Sequence, residues 1–171
     1  AECAAAPELK VAARIGVGYD TVDVPALTQR KIPLMVTGIA NSVSVAEHAI
    51  FLMMSLAKRG TDYDRMAREN RWGDRFGALP VDLFQKTLLI YDPYVPPAVI
   101  RGSACEPVAN LKDGLARADF VTVHCPKNSE TIDLIGRAEL AAMKRTANIV
   151  NTARGGIINE DALYDALKGG T

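Results

Sequence analysis

Arg154 follows the run Asn151-Thr152-Ala153, at the end of a stretch, Ala147–Thr152, that reads as a strand. Open α/β sheets bind ligands at such strand ends. A guanidinium there can grip a carboxylate and polarise the neighbouring carbonyl with one planar fork. The plainer reading is a surface arginine that closes a turn. Asp92 is the second candidate: the apolar run Leu88-Leu89-Ile90 opens almost directly into Asp92-Pro93. An acid just past a strand can accept hydrogen bonds from a ribose and repel a 2′-phosphate. Its plainer reading is an Asp-Pro turn. Val17 and Gly18 form a third candidate: a glycine lets a ligand approach the backbone N–H groups without obstruction. An ordinary turn ending a strand explains that spacing equally well.

His124 is one of two histidines and ends the β-like run Phe120-Val-Thr-Val-His-Cys125. An imidazole suits proton transfer from a hydroxyl. Strand alternation, however, sends His124 and Cys125 to opposite faces. His48 follows Ser44-Val-Ala-Glu47, a capping-box pattern, and reads as structural. The cysteines, Cys3, Cys105 and Cys125, show no CxxC spacing and no base partner, so neither a metal cluster nor a thiol nucleophile is expected.

These residues need elements to hold them. Leu9–Val17 and Ile32–Thr37 read as buried strands, with a short helix over Val24–Arg30 capped by Asp23 and opened by Pro25. A long helix is expected from Ser44 into the polar stretch Lys58–Arg71, with Val45, Ala49, Leu52, Met53 and Leu56 at helical spacing. Its wide apolar face serves either the core or a subunit interface. Trp72–Pro80 reads as a loop and Thr87–Ile90 as a strand. The chain then turns through Gly102 and Pro107. Asn110–Ala116 is a helix with Asn110 as cap. Asp119–Cys125 is a strand, Arg137–Lys144 a helix, Ala147–Thr152 a strand and Asp161–Lys168 a helix. Alternating strands and helices imply a mostly parallel sheet covered on both faces.

Composition sets bounds on partners. The 171 residues carry 20 Lys+Arg and 20 Asp+Glu, so the formal net charge is zero. No basic surplus points to nucleic acid or an anionic membrane. The longest apolar stretch, near Ala49–Leu56, falls far short of the ~20 residues of a membrane span. Scattered cysteines in odd number point to reduced thiols and a cytoplasmic setting.

One feature conflicts with a dinucleotide fold. Thr87–Ile90 resembles its opening strand, and Tyr91-Asp92-Pro93 resembles the end of the next one. A parallel crossover needs about a dozen residues or more, and the acid should follow a glycine loop by ~20 residues. Here Ile90 and Asp92 are two apart. Three explanations are open: a loop and helix of the molecule that this sequence leaves out between 90 and 91; a natural or engineered deletion; or a fold that binds no dinucleotide. The fit of the flanking pieces to the two sides of such a gap favours the first.

The segments GVGYDTVDVPAL (16–27), NSVSVAEHAIFLM (41–53), YDPY (91–94), ADFVTVHCPKNSET (118–131) and NTARGGIINEDALYDAL (151–167) together resemble the D-isomer-specific 2-hydroxyacid dehydrogenase family. The resemblance implies an α/β fold: a doubly wound parallel sheet, the Rossmann-like cofactor domain, over 41–171, and part of a flavodoxin-like substrate domain over 1–40. It implies NAD as cofactor and a small 2-hydroxy or 2-keto acid, phosphoglycerate- or hydroxypyruvate-like, as substrate. A homodimer through the 44–70 region is also implied. Arg154 would be catalytic and would also touch the cofactor. Val17 and Gly18 would hold the substrate carboxylate. Asn41 matches a substrate-side position in the formate-specific branch, although an Asn at a helix start is commonly a cap. Asp92 would bind the adenine-side ribose. Cys125, Pro126, Thr152 and Ala153 would line the nicotinamide side. Two departures stand out: the GxGxxG loop is absent, and the family's Glu–His pair would lie beyond Thr171. Three other readings stay open: a formate dehydrogenase, an NADH-sensing interaction protein like the corepressors of this fold, and a truncated inactive fragment.

Overall fold

The computed structural model describes residues 5–77, 79–84 and 86–170, so Cys3 lies outside the described residues. The chain divides into two compact units, residues 1–47 and 48–171. The division falls inside one helix rather than at its start near residue 41.

In the first unit, strand β1 (Ala12–Arg14) pairs in parallel with β2 (Leu34–Val36). Helix α1 (Val24–Gln29) crosses between them, buries Leu27, and starts where the Asp23 carboxylate accepts the Ala26 N–H at 3.0 Å. That is the expected N-cap, followed by a tolerated early proline. The extended strands foreseen over Leu9–Val17 and Ile32–Thr37 shrink to three residues each. Gly16, at φ +127°, bends the chain out of β1, and its N–H donates to the Thr37 hydroxyl at 3.1 Å.

Helix α2 (Ser42–Ala57) starts two residues before the expected cap, Ser44, which therefore sits inside the first turn. The carbonyl of Asn41 takes the first helical hydrogen bond, from Val45 N–H at 3.0 Å. The expected single long helix is two. Arg59 adopts φ +55° and opens α3 (Gly60–Arg68). Gly60 makes that break possible, because a Cβ there would press on Ser55 Oγ at 3.2 Å. Asp62 accepts from Arg59 and Arg65 and fixes the new first turn. A 3-10 segment (Trp72–Gly77) follows where a loop was expected.

The second unit continues with β3 (Leu89–Ile90), α4 (Pro97–Gly102), β4 (Glu106–Pro107), α5 (Leu111–Arg117), β5 (Phe120–Val123), α6 (Arg137–Ala142), β6 (Asn148–Asn151) and α7 (Glu160–Gly169). Asn110 caps α5 by accepting the Lys112 and Asp113 N–H groups, as its position foretold. Helix α4 and strand β4 replace the expected turn. All strand pairs are parallel: β3 with β4, and β5 with β6. The core lies under β5 and β6. Val123, Ile135, Leu140, Ile157, Ile158 and Ala162 are buried together, with Val121, Cys125 and Ile149 packed against them. Burial of about 1.5–3 kcal/mol per large aliphatic side chain makes this cluster the anchor of the unit. Among the described residues, no helix is long and apolar enough to cross a membrane.

Candidate functional site

Strands β5 and β6 end level with one another, Val123 opposite Asn151. Their exits therefore lie side by side on the edge where parallel sheets present ligand-binding loops. The loop after β6 is built by Asn151. Its carboxamide oxygen accepts the Ala153 N–H at 3.0 Å, and its nitrogen donates to the Arg154 carbonyl at 2.8 Å. One side chain thus folds Thr152, Ala153 and Arg154 into a tight turn. Arg154 is half-buried and donates from one guanidinium nitrogen to the Ala153 carbonyl at 2.8 Å. The Thr152 hydroxyl is buried and has no hydrogen-bond partner among the described residues, a costly state that favours a polar contact from elsewhere.

The loop after β5 is held by Asn128 and Thr131. Asn128 accepts the Glu130 and Thr131 N–H groups, and the Thr131 hydroxyl donates to the Pro126 carbonyl at 2.6 Å. The two loops are stitched together: Asp133 N–H donates to the Gly156 carbonyl at 2.9 Å, and Ile135 N–H to the Ile157 carbonyl at 3.1 Å. Gly156 stands at φ +78°, and a Cβ there would meet Lys127 Nζ at 2.8 Å. A lysine ammonium therefore lies over this glycine.

Cys125, Pro126, Thr152, Ala153 and Arg154 are thus brought together on one edge of the second unit. Cys125 packs on the core, and burial pushes its thiol pKa up, away from the reactive thiolate. His124 is exposed on the opposite face, next to the Thr122 hydroxyl at 2.8 Å, as alternation required. Asp92 is exposed just past β3 and closes an Asx turn by accepting the Tyr94 N–H at 2.9 Å. The Tyr94 hydroxyl donates to the Glu130 carboxylate, which ties this turn to the β5 loop and raises the Tyr94 pKa. In the first unit, Val17 and Gly18 follow the Gly16 bend, and Asn41 is exposed at the start of α2. Among the described residues, no hydrogen bond engages the Val17 or Gly18 N–H. The sequence reading passed over Asn151, Lys127, Tyr94 and Glu130. The NSET run held the signal for an Asx turn, but nothing local marked Lys127.

Parallel strands with crossover helices, and strand ends gathered on one edge around an arginine, define a doubly wound nucleotide-binding protein. Residues 81–171 match the family described as D-isomer specific 2-hydroxyacid dehydrogenase, NAD binding domain, and the chain belongs to that family. It is 39% identical, over 98% of its length, to the D-3-phosphoglycerate dehydrogenase of Mycobacterium tuberculosis, of which the match covers 36%. The chain therefore spans about a third of the curated relatives it first matches. It superposes on D-lactate dehydrogenase from Aquifex aeolicus, complexed with NAD and lactic acid, with a TM-score of 0.90 and 24% identity, over 98% of this chain and 57% of that one. It also resembles the NAD-dependent formate dehydrogenase from Staphylococcus aureus in complex with NAD, at TM-score 0.79 and 30% identity, over 96% and 56%.

The coenzyme of the matched domain is NAD. The residues present suit its two ends, with an acid past β3 and a lined turn past β6. They do not suit its middle. A pyrophosphate needs glycine N–H groups leading into a helix N-terminus. No glycine lies between residues 78 and 101. The first helix after β3 has six residues and opens on Pro97, which has no N–H to give.

Proposed function

We propose that this chain belongs to an NAD-dependent oxidoreductase that interconverts a small D-2-hydroxy acid and its 2-keto acid, phosphoglycerate- or hydroxypyruvate-like. The observation that carries this reading is the Asn151-built turn, which holds Thr152, Ala153 and Arg154 at the exit of β6, level with the exit of β5. Arg154 would grip the substrate carboxylate and stabilise charge on the neighbouring oxygen. NAD, when bound, supplies the hydride chemistry. Val17, Gly18 and Asn41 are the substrate-side candidates of the first unit, and Asp92 is the ribose ligand of the second. In this reading residues 1–40 would be part of the substrate domain and 41–171 the cofactor domain.

The test is a panel on the intact natural protein: NADH oxidation with hydroxypyruvate, glyoxylate, pyruvate and phosphohydroxypyruvate, and NAD reduction with formate. Turnover of at least one keto acid is expected. Flat traces with NADH still bound would replace the enzyme by a sensor. The 30% identity to a formate dehydrogenase favours formate as the second reading, and NAD reduction by formate alone would select it.

We also propose a homodimer through the 44–70 region in a cytoplasmic protein. Helix α2 leaves Ile50 46% and Phe51 64% exposed, an apolar face that another copy would cover. Sedimentation should give twice the chain mass, and Phe51→Glu should give a monomer. A wild-type monomer at micromolar concentration removes the dimer.

A further inference from the structure

Asp92, Tyr94 and Glu130 form a chain of two hydrogen bonds from the exit of β3 to the exit of β5. The Asp92 carboxylate accepts the Tyr94 N–H at 2.9 Å. The Tyr94 hydroxyl donates to the Glu130 carboxylate, 36 residues further on. One residue therefore holds two acids, Asp92 by its backbone and Glu130 by its side chain. Both carboxylates act on the same phenol. They raise the Tyr94 pKa, Glu130 first through its hydrogen bond and Asp92 through its charge, so the hydroxyl keeps its proton and stays a donor.

Each acid is also fixed from its own side. Asp92 closes its Asx turn. Glu130 N–H donates to Asn128 Oδ1 at 2.9 Å, in a loop whose Thr131 hydroxyl donates to the Pro126 carbonyl at 2.6 Å. The tyrosine hydrogen bond then restrains the Glu130 side chain, which is otherwise exposed and long enough to swing.

A neutral side chain at position 130 would make as good a strut between the loops. The strut here carries a second negative charge, and no cation offsets it. Residues 87–100 contain neither Lys nor Arg. The one Lys or Arg of residues 124–131 is Lys127, and its Nζ lies toward β6, 2.8 Å from the Cβ position of Gly156. Among the described residues neither acid has a basic partner. A ribose hydroxyl is a donor and satisfies a carboxylate; a phosphate monoester is an anion of nearly two charges and is repelled by one. Asp92 keeps acceptor capacity beyond the single N–H it takes from Tyr94, so it can receive a hydroxyl while its turn holds.

We propose that Tyr94 and Glu130 set coenzyme choice together with Asp92: the tyrosine positions Glu130 as a second carboxylate at the ribose end, and the two acids reject a 2′-phosphorylated dinucleotide. This rests on the coenzyme reading above. Glu130 acts through space and Tyr94 acts through Glu130, so Tyr94 is a positioning residue. A through-space effect at an exposed site is strong at low salt and fades as the Debye length shrinks.

The test is calorimetric titration of the intact natural protein with NADH and with NADPH, at about 10 mM and about 500 mM salt. The readout is the ratio of the two affinities. Glu130→Gln keeps an acceptor for the Tyr94 hydroxyl and removes the charge. It should move the ratio toward NADPH about threefold to fivefold at low salt and by less than about 1.5-fold at high salt. Tyr94→Phe keeps the ring and the N–H but releases Glu130. It should move the ratio the same way by a smaller factor, and add nothing on top of Glu130→Gln. An unchanged ratio in Glu130→Gln, a shift that ignores salt, or a loss shared equally by both coenzymes would make the clasp a loop strut and overturn the proposal. A Tyr94→Phe effect that adds in full to that of Glu130→Gln overturns the positioning role. Binding of neither dinucleotide to the parent removes the coenzyme reading, and the proposal with it.

Discussion

Arg154 gains its orientation from Asn151, which holds the turn from both sides. That division of labour makes the fork testable apart from the charge. Lysine keeps the charge but presents a single ammonium in place of two parallel N–H groups. Arg154→Lys in the intact enzyme should lower kcat/KM for its keto acid about 100-fold, equivalent to ~2.7 kcal/mol of transition-state binding. The melting temperature should stay as in the parent. An unchanged kcat/KM would return Arg154 to the role of a turn-closing surface residue. Of the single residues, Asp23 and Asn110 were legible as caps because capping is a local hydrogen bond written in residue type. Cys125 and His124 were legible as opposite-facing because alternation is a property of any strand. Lys127 was not, since its place over Gly156 depends on two loops meeting far from either in sequence.

Elements were legible where a single period ran long enough. Phe120-Val-Thr-Val, Asn148-Ile-Val-Asn and the helix Glu160–Gly169 fall within two residues of their expected bounds. The two-residue strands β3 and β4, and α4 between Pro97 and Gly102, offer too few residues for a period. Only their neighbours define them. The break at Arg59 was hidden because the helical pattern carries on past it, with Tyr63 and Met66 spaced as on one face, and only Gly60 marks a stop. Two predictions belong to this scale. Gly156 combines φ +78° with a Cβ position 2.8 Å from Lys127 Nζ. Gly156→Ala should cost about 1–2 kcal/mol and lower the melting temperature by about 3–6 °C, with the flexible lysine yielding and the backbone bearing most of the strain. An unchanged melting temperature would mean the loop relaxes. The second concerns Asp119, which accepts from Lys86 at 2.8 Å and Lys144 at 2.9 Å. Those hydrogen bonds, Lys86 first, lower its pKa below the ordinary carboxylate value. A carboxylate with a depressed folded-state pKa stabilises fully above its unfolded pKa and loses that contribution as pH falls through the folded value. The pair is solvent-screened, so its worth is at most about 1 kcal/mol. Asp119→Asn should lower melting at pH 7 and match the parent at pH 2. A gap that persists at pH 2 would assign the loss to packing.

At the scale of the molecule, the family match and the strand pairing agree on a parallel α/β fold. Pairing is a tertiary fact: β3 is two residues long and is defined by its parallel partnership with β4, which no local period announced. The acid past β3 and the Asn151-built turn past β6 suit the two ends of a dinucleotide, whereas residues 79–100 offer no glycine for its middle. A pyrophosphate left without backbone donors keeps its water and gains nothing from a helix N-terminus, so in this chain the two ends carry the recognition.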